Sequence, residues 1–241
     1  MFFRIIQSPA LVRVLPIGVF IALTLFQDSA GETGRYWIYL AKAILAATAL
    51  AFVLPHIPEV KWNASGSSIL VGIAVFALWI GLDGLYPPAD RLYSQYLCPL
   101  LAKIGLAKDC TPNAAAAWNP IAAFGAGSVA SLVFIVLRIV SATLLVPVIE
   151  EVFWRSFVYR YLSHRDFDRE PLGRFRPVSF LLTSLFFGLE HREWLAGILC
   201  GFAYQGLVVW KNRLGDAIVA HAITNFLLGV WIVWKGAWHF W

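Results

Sequence analysis

Glu150 and Glu151 stand side by side in LLVPVIEEVFWRSFVYRYL, residues 144–162, and Arg155 follows four positions after the second glutamate. Ionised groups are expensive in an apolar stretch, and inside a membrane they mark a functional site by default. On a helix, positions i and i+4 share a face, whereas i and i+1 diverge by about 100°. Glu151 and Arg155 can therefore pair along one face. Glu150 points about 140° away from Arg155 on the same arithmetic and needs a partner from another helix. Two later stretches offer one. FFGLEH sets His191 beside Glu190 and four residues after Phe187, and HAITNF sets His221 four residues before Asn225. A carboxylate and an imidazole can activate water, and amide or imidazole donors can hold an oxyanion, so the set suits hydrolysis. Taken singly, each cluster has a plainer reading. Glu151–Arg155 is then a structural ion pair, each histidine a hydrogen bonder between packed helices, and Asn225 interhelical glue. Three such clusters in the last hundred residues, with almost nothing polar in the preceding spans, favour chemistry.

The elements that must position these groups follow from composition. Sixty per cent of the 241 residues are hydrophobic and 14% are charged, against about 25% charged in soluble domains. Mean hydropathy is +0.72. Such a chain cannot cover a water-facing surface, so an all-α polytopic transmembrane helix bundle is expected. Eleven tryptophans suit membrane interfaces. The net charge of +5 does not point to nucleic acid, because the basic residues lie mainly in short loops between apolar spans. Three cysteines exclude a dense disulfide framework.

A span needs about 20 mostly apolar residues. Stretches at about 10–26, 36–54, 67–82, 121–146 (running on as helix to about 162), 177–191, 194–210 and 216–234 meet or approach that length, which gives about 7–8 spans. Arg4, the apolar run to Phe26 and the following DSAG imitate a signal peptide, but Arg13 interrupts the run and an uncleaved first span is expected. The arginines at 160, 165, 169, 174 and 176 assign 160–176 to the cytoplasm. Counting outward puts Arg4 and the Lys211/Arg213 loop on that side as well. The N-terminus is then inside, and the segment 83–120 and the C-terminus are outside. Outside, Cys98 and Cys110 can form a disulfide or remain two thiols. Cys200 lies between Gly197 and Gly201, a small-xxx-small spacing that suits close helix packing.

Pro147 lacks the N–H that a helix would use, so a kink and a polar cavity are expected near Thr143. Helical rise places Glu150 and His191 about 20 Å from the cytoplasmic ends and His221 about 10–14 Å, which brings them together only loosely. The fifth apolar stretch is short for a span, so the EHREW turn at 190–194 is expected inside the protein, lining a cavity.

In order, EEVFWR (150–155), FGLEH (187–191) and HAITN (221–225) resemble the EExxxR, FxxxH and HxxxN signatures of the type II CAAX prenyl endopeptidase family, also called the CPBP or Abi family of intramembrane glutamic proteases. The resemblance covers about residues 120–235. It implies a division into 1–120, membrane spans with an outer loop, and 121–241, a catalytic helix bundle. It implies an endopeptidase that cuts near the C-terminus of a membrane-associated or lipidated substrate. Glu150 corresponds to the catalytic glutamate acting with His191, and His221 and Asn225 to an oxyanion pair. Glu151 and Arg155 correspond to supporting positions. Glu190 lies outside the signatures, and Phe187 is a packing residue. No cofactor or metal is implied. Size and the basic loop also resemble the CAAX protease-related proteins that accompany exosortase systems, which implies a bacterial inner membrane and exosortase-system partners. Three alternatives stay open: a zinc metalloprotease built on one carboxylate and two histidines, a non-enzymatic scaffold or immunity-type protein, and a transporter.

Overall fold

The structure, a computed structural model, describes residues 6–107, 110–111 and 117–241; Arg4, used above for sidedness, lies outside them. Among the described residues every regular element is helical. The principal helices are α1 (Pro9–Gln27), α2 (Gly31–Val53), α3 (Gly66–Gly81), α4 (Val129–Leu144), α5 (Val146–Glu151), α6 (Tyr159–Ser163), α7 (Pro177–Leu189), α8 (Trp194–Lys211) and α9 (Gly215–Lys235). Between α5 and α6 the chain stays helical but adopts π-geometry over Val152–Val158. In a π-helix each bond reaches five residues back, and such insertions concentrate at functional sites.

Four stretches, Pro9–Gln27, Gly31–His56, Val129–Ser163 and Gly215–Lys235, are long and apolar enough to cross a membrane, while Gly66–Gly81 and Pro177–Leu189 are shorter apolar helices. At 1.5 Å per residue these two run only about 24 and 20 Å, against a hydrocarbon core of about 30 Å. The difference from the seven or eight spans expected lies in these two and in α8, Trp194–Lys211, which is not among the four.

α1 and α2 form a hairpin, α3 packs on α9, α4 on α9, and α7 on α8. Two close approaches make this possible. A Cβ on Gly72 of α3 would come within 2.6 Å of the Ala220 carbonyl oxygen of α9, and one on Gly188 of α7 within 2.4 Å of the Ile198 nitrogen of α8. Only glycine lets those backbones meet. The Gly197 and Gly201 faces lie against Gly188 and Ser184 respectively, so that spacing does serve close packing. The largest apolar core joins Val75, Val152, Phe187, Tyr204, Ala217 and Ala220 from α3, the π-segment, α7, α8 and α9.

The ends of the bundle are tied differently. At one end Glu59, in the segment after α2, accepts hydrogen bonds from Arg13 of α1 (2.5 Å), Arg160 of α6 and Ser156 (3.0 Å). Burial would raise the Glu59 carboxyl, but Arg13 and Arg160 outweigh it and hold the group below the ordinary carboxylate value. At the same end Asp216 of α9 accepts from the Ser65 and Ser68 hydroxyls, which locks the start of α9 to the start of α3. At the other end Cys98 and Cys110 are bonded as a disulfide, and the Arg192 carbonyl accepts from the Ala89 backbone (2.9 Å). Arg13 and Arg160 thus share one end, and the 83–120 segment and the 190–194 turn share the other. The charge rule assigns the first end to the cytoplasm. The turn lines a cavity through His191, as expected, and Glu193 is buried, but Glu190 and Arg192 are exposed.

Candidate active site

The helix break is the first positioning device. α4 ends at Leu144, Leu145 serves as cap, and α5 restarts at Val146 with Pro147 in its first turn. Proline supplies no N–H, so carbonyls at the end of α4 need other donors. The Asn225 side chain of α9 provides one, donating from Nδ2 to the Ala142 carbonyl at 2.9 Å. One turn beyond the break, Glu150 faces a cavity of ≈ 240 Å³ with its side chain 16% exposed. The cavity is lined on its other walls by His191, His221, Asn225 and Tyr204.

Glu151 takes the opposite direction and is fully buried. Its Oε2 lies 3.2 Å from Arg155 Nε, close enough for an ion pair but not aligned as a hydrogen bond. Both Nη groups of Arg155 also lack hydrogen-bond partners among the described residues. The guanidinium instead lies over the Phe187 ring, 4.2 Å from its centroid, an attraction of a cation to a π-face. The other oxygen of Glu151 accepts from His221 Nδ1 at 3.0 Å. This corrects the expectation that Arg155 alone neutralises Glu151: the carboxylate is shared between its own helix and α9.

That bond settles a proton. A carboxylate only accepts, so His221 Nδ1 carries hydrogen and Nε2 is bare in the neutral ring. Nε2 stands 3.9 Å from Glu150 Oε2, longer than a direct hydrogen bond. The ring is stacked on Tyr204 at 5.0 Å between centroids. Tyr204 in turn donates to Thr224 Oγ1 (2.7 Å), and Thr224 donates to the Gly72 carbonyl (2.9 Å).

His191 obeys the same logic. Its Nδ1 lies 2.7 Å from the Phe187 carbonyl, four residues earlier in α7. A carbonyl cannot donate, so Nδ1 carries the hydrogen and Nε2 is left as a base or ligand. The ring packs edge-on against Trp79 of α3 (5.5 Å) and tilted against Phe187 (4.9 Å). Glu190 accepts from Trp154 Nε1 at 3.0 Å. One ligand-capable atom from each of Glu150, Glu190 and His191 falls within 4.8 Å of the others. These three could hold a divalent cation. Two carboxylates and one imidazole make a different set from the one carboxylate and two histidines expected for zinc.

All six site positions read from the sequence, Glu150, Glu151, Arg155, His191, His221 and Asn225, therefore gather around one cavity or directly behind its wall. Phe187, expected to pack, does so at the centre, fully buried among Arg155, His191 and His221. Trp154, Tyr204, Thr224 and Gly72 join the site unannounced, and Glu190, which lies outside the signatures, joins it through Trp154. Thr224 stood next to Asn225, and Tyr204 four residues after Cys200, but tyrosine and threonine in apolar helices carry no distinctive signal. The arrangement offers a carboxylate with an oxygen unpartnered among the described residues (Glu150 Oε2), two imidazoles each engaged through Nδ1, and an anchored amide.

Residues 131–227 match the family model described as "Type II CAAX prenyl endopeptidase Rce1-like". No curated protein matches the chain, and no solved structure does.

Proposed function

We propose, from the match of residues 131–227 to the type II CAAX prenyl endopeptidase Rce1-like family model and from the apolar helices around it, that the chain is an intramembrane glutamic-type endopeptidase. It hydrolyses a peptide bond near the C-terminus of a membrane-associated or lipidated substrate, in the plasma membrane of a bacterium. The observation that carries the reading is the convergence of Glu150 from α5, His191 from the turn after α7 and His221 from α9 on one cavity.

Glu150 takes a proton from water, and the hydroxide adds to the scissile carbonyl. His191, with Nε2 bare, holds the water's second hydrogen. The oxyanion that forms needs donors. Asn225 spends one Nδ2 hydrogen on Ala142 and keeps the other. His221 lines the same cavity, held in place by the contact of its Nδ1 with Glu151. The proton on Glu150 then passes to the leaving amine. Glu151 and Arg155 touch no reacting atom and act as positioning residues.

The test compares the termini of membrane proteins in cells carrying the wild type or Glu150→Gln. New C-terminally shortened products should disappear with the variant, and unchanged termini would sink the reading. Folding is checked in parallel, because a scaffold would lose stability and abundance instead of products.

The Glu150–Glu190–His191 grouping favours a second reading in which the same hydrolysis runs on a bound divalent cation. Stoichiometric metal in active preparations, with activity lost on chelation and restored by the ion, would establish it.

A further inference from the structure

The cavity that holds Glu150 has a second, cationic region. Lys42 of α2 and Arg138 of α4 line it together with Tyr39. Lys42 is 4% exposed, and its Nζ lies 4.8 Å from the Tyr39 ring centroid, while the Arg138 guanidinium lies 5.1 Å from the same ring. Two basic side chains thus flank one aromatic ring inside the bundle. Arg138 also meets the rings of Trp118 (4.6 Å) and Trp241 (5.3 Å). Its titratable neighbours are Tyr39, Arg35 and Tyr36, and none is a carboxylate. Lys42 donates to the Thr24 hydroxyl at 3.0 Å.

Cations at membrane depth pair with acids or mark a substrate path. Ring faces compensate part of the charge, but the Arg138 guanidinium makes no ion pair among the described residues. Glu150 does not supply the missing charge, because its charged neighbours are Glu190, Glu151 and Arg155. The acid and the cations therefore occupy different regions of one cavity. Arg138 on α4 and Glu150 on α5 stand on opposite sides of the helix break at Leu145 and line the same cavity.

Resting on the hydrolytic reading above, we propose that Lys42 and Arg138 bind the terminal carboxylate of the substrate peptide, so that the bond presented to Glu150 lies a fixed few residues from the chain end. The guanidinium fork can grip a carboxylate through two N–H groups, and the ammonium adds a point charge. A cavity of ≈ 240 Å³ walled by Tyr39 and Trp241 suits a short peptide segment better than a two-chain lipid.

The test uses full-length protein in phosphatidylcholine nanodiscs, titrated with N-acetyl-trileucine as the free acid and as the C-terminal amide. The acid should bind about tenfold tighter or more, the scale of a charge-assisted hydrogen bond. Arg138→Gln and Lys42→Gln should each bring the acid down to the affinity of the amide and leave the amide unchanged. Arg138→Lys, which keeps the charge, should retain most of the preference and shows that loss in the glutamine variants is not misfolding. Equal binding of acid and amide by the wild type, or a preference that survives both glutamine variants, overturns the proposal. So does native mass spectrometry showing phosphatidylglycerol on the wild type and not on the variants, with no discrimination between the peptides. The titration reads binding without turnover, so its failure is distinct from failure of the hydrolytic reading, which Glu150→Gln tests on cleavage.

Discussion

His221 Nδ1 stands 3.0 Å from Glu151 Oε1 across 70 positions of sequence. The glutamate next to the one facing the cavity is thus the anchor that fixes the tautomer and the direction of a histidine on α9. Adjacent carboxylates divide the work by helical direction: Glu150 faces the cavity, and Glu151 faces the protein.

The first prediction follows from that division. Glu151→Gln removes a fully buried charge from between Arg155 and His221. Breaking a buried pair on one side costs about 3–5 kcal/mol, because the remaining charge is uncompensated. Glu150→Gln removes a charge whose Oε2 has no hydrogen-bond partner among the described residues, and should change stability by about 1 kcal/mol or less while abolishing cleavage. Thermal unfolding of both variants in one detergent checks this. Equal losses of stability would show that the glutamates are not divided in this way.

A second prediction concerns the contact between α7 and α8. Gly188→Ala would drive a methyl to 2.3 Å from Ile198 Cγ1, and Gly201→Ala would bring one within 2.9 Å of the Ser184 backbone. Overpacking of this kind costs about 1–3 kcal/mol. His191 lies three residues beyond Gly188, so Gly188→Ala should depress activity more than Gly201→Ala at matched loss of stability. Melting temperature and cleavage rate measured side by side decide it.

Acid should loosen the bundle at the Glu59 tie. Desolvation raises this carboxyl, but Arg13 and Arg160 prevail and its value in the folded protein is below the ordinary 4.5. A depressed carboxylate contributes stability that is fully present above the unfolded value and is lost as pH falls through the folded one. The wild type should therefore lose melting temperature below about pH 4.5, and Glu59→Gln should be less stable at neutral pH and flatter in that acid range. Parallel acid titrations of the two would contradict this.

The disulfide gives a fourth. Cys98 and Cys110 close a segment of 12 positions, a loop whose cross-link stabilises by about 3 kcal/mol on chain-entropy grounds. Cys98→Ser and Cys110→Ser should melt earlier by the same amount as each other. Mass mapping without reductant should find one bridged peptide pair in the wild type and leave Cys200 alkylatable only after unfolding.

Much of the site was legible in the sequence because charge is conspicuous in apolar helices. Glu150, Glu151, Arg155, His191, His221 and Asn225 announced themselves by cost alone, and Pro147 marked the break. Depth arithmetic brought His221 to Glu150 only loosely because it assumed straight, crossing helices. In the structure α4 restarts as α5 and α7 stops at 13 residues, so counting from the ends misplaces both partners. The Glu151–His221 bond was not legible, since a perfect 100° step made Arg155 a sufficient partner. Tyr204 and Thr224 were invisible for a different reason: their polar atoms matter only through stacking and a carbonyl on α3, and no spacing within one helix encodes those contacts.

The π-segment Val152–Val158 sits between Glu151 and Arg160. An α-helix accommodates such a widened turn by carrying one residue more than its regular register needs. Deleting a single residue there would let the helix close into ordinary geometry with few backbone bonds lost. The flanks would keep their mutual direction, because the widened turn is what absorbs the surplus residue, and only side chains inside the segment, Arg155 among them, would change face. A residue lost from the regular turns on either side would instead turn one flank by about 100° against the other, and Arg160 would swing away from Glu59 while Glu150 stayed in place. The widened turn is thus the one stretch of this helix where length can change without turning Glu150 against Arg160.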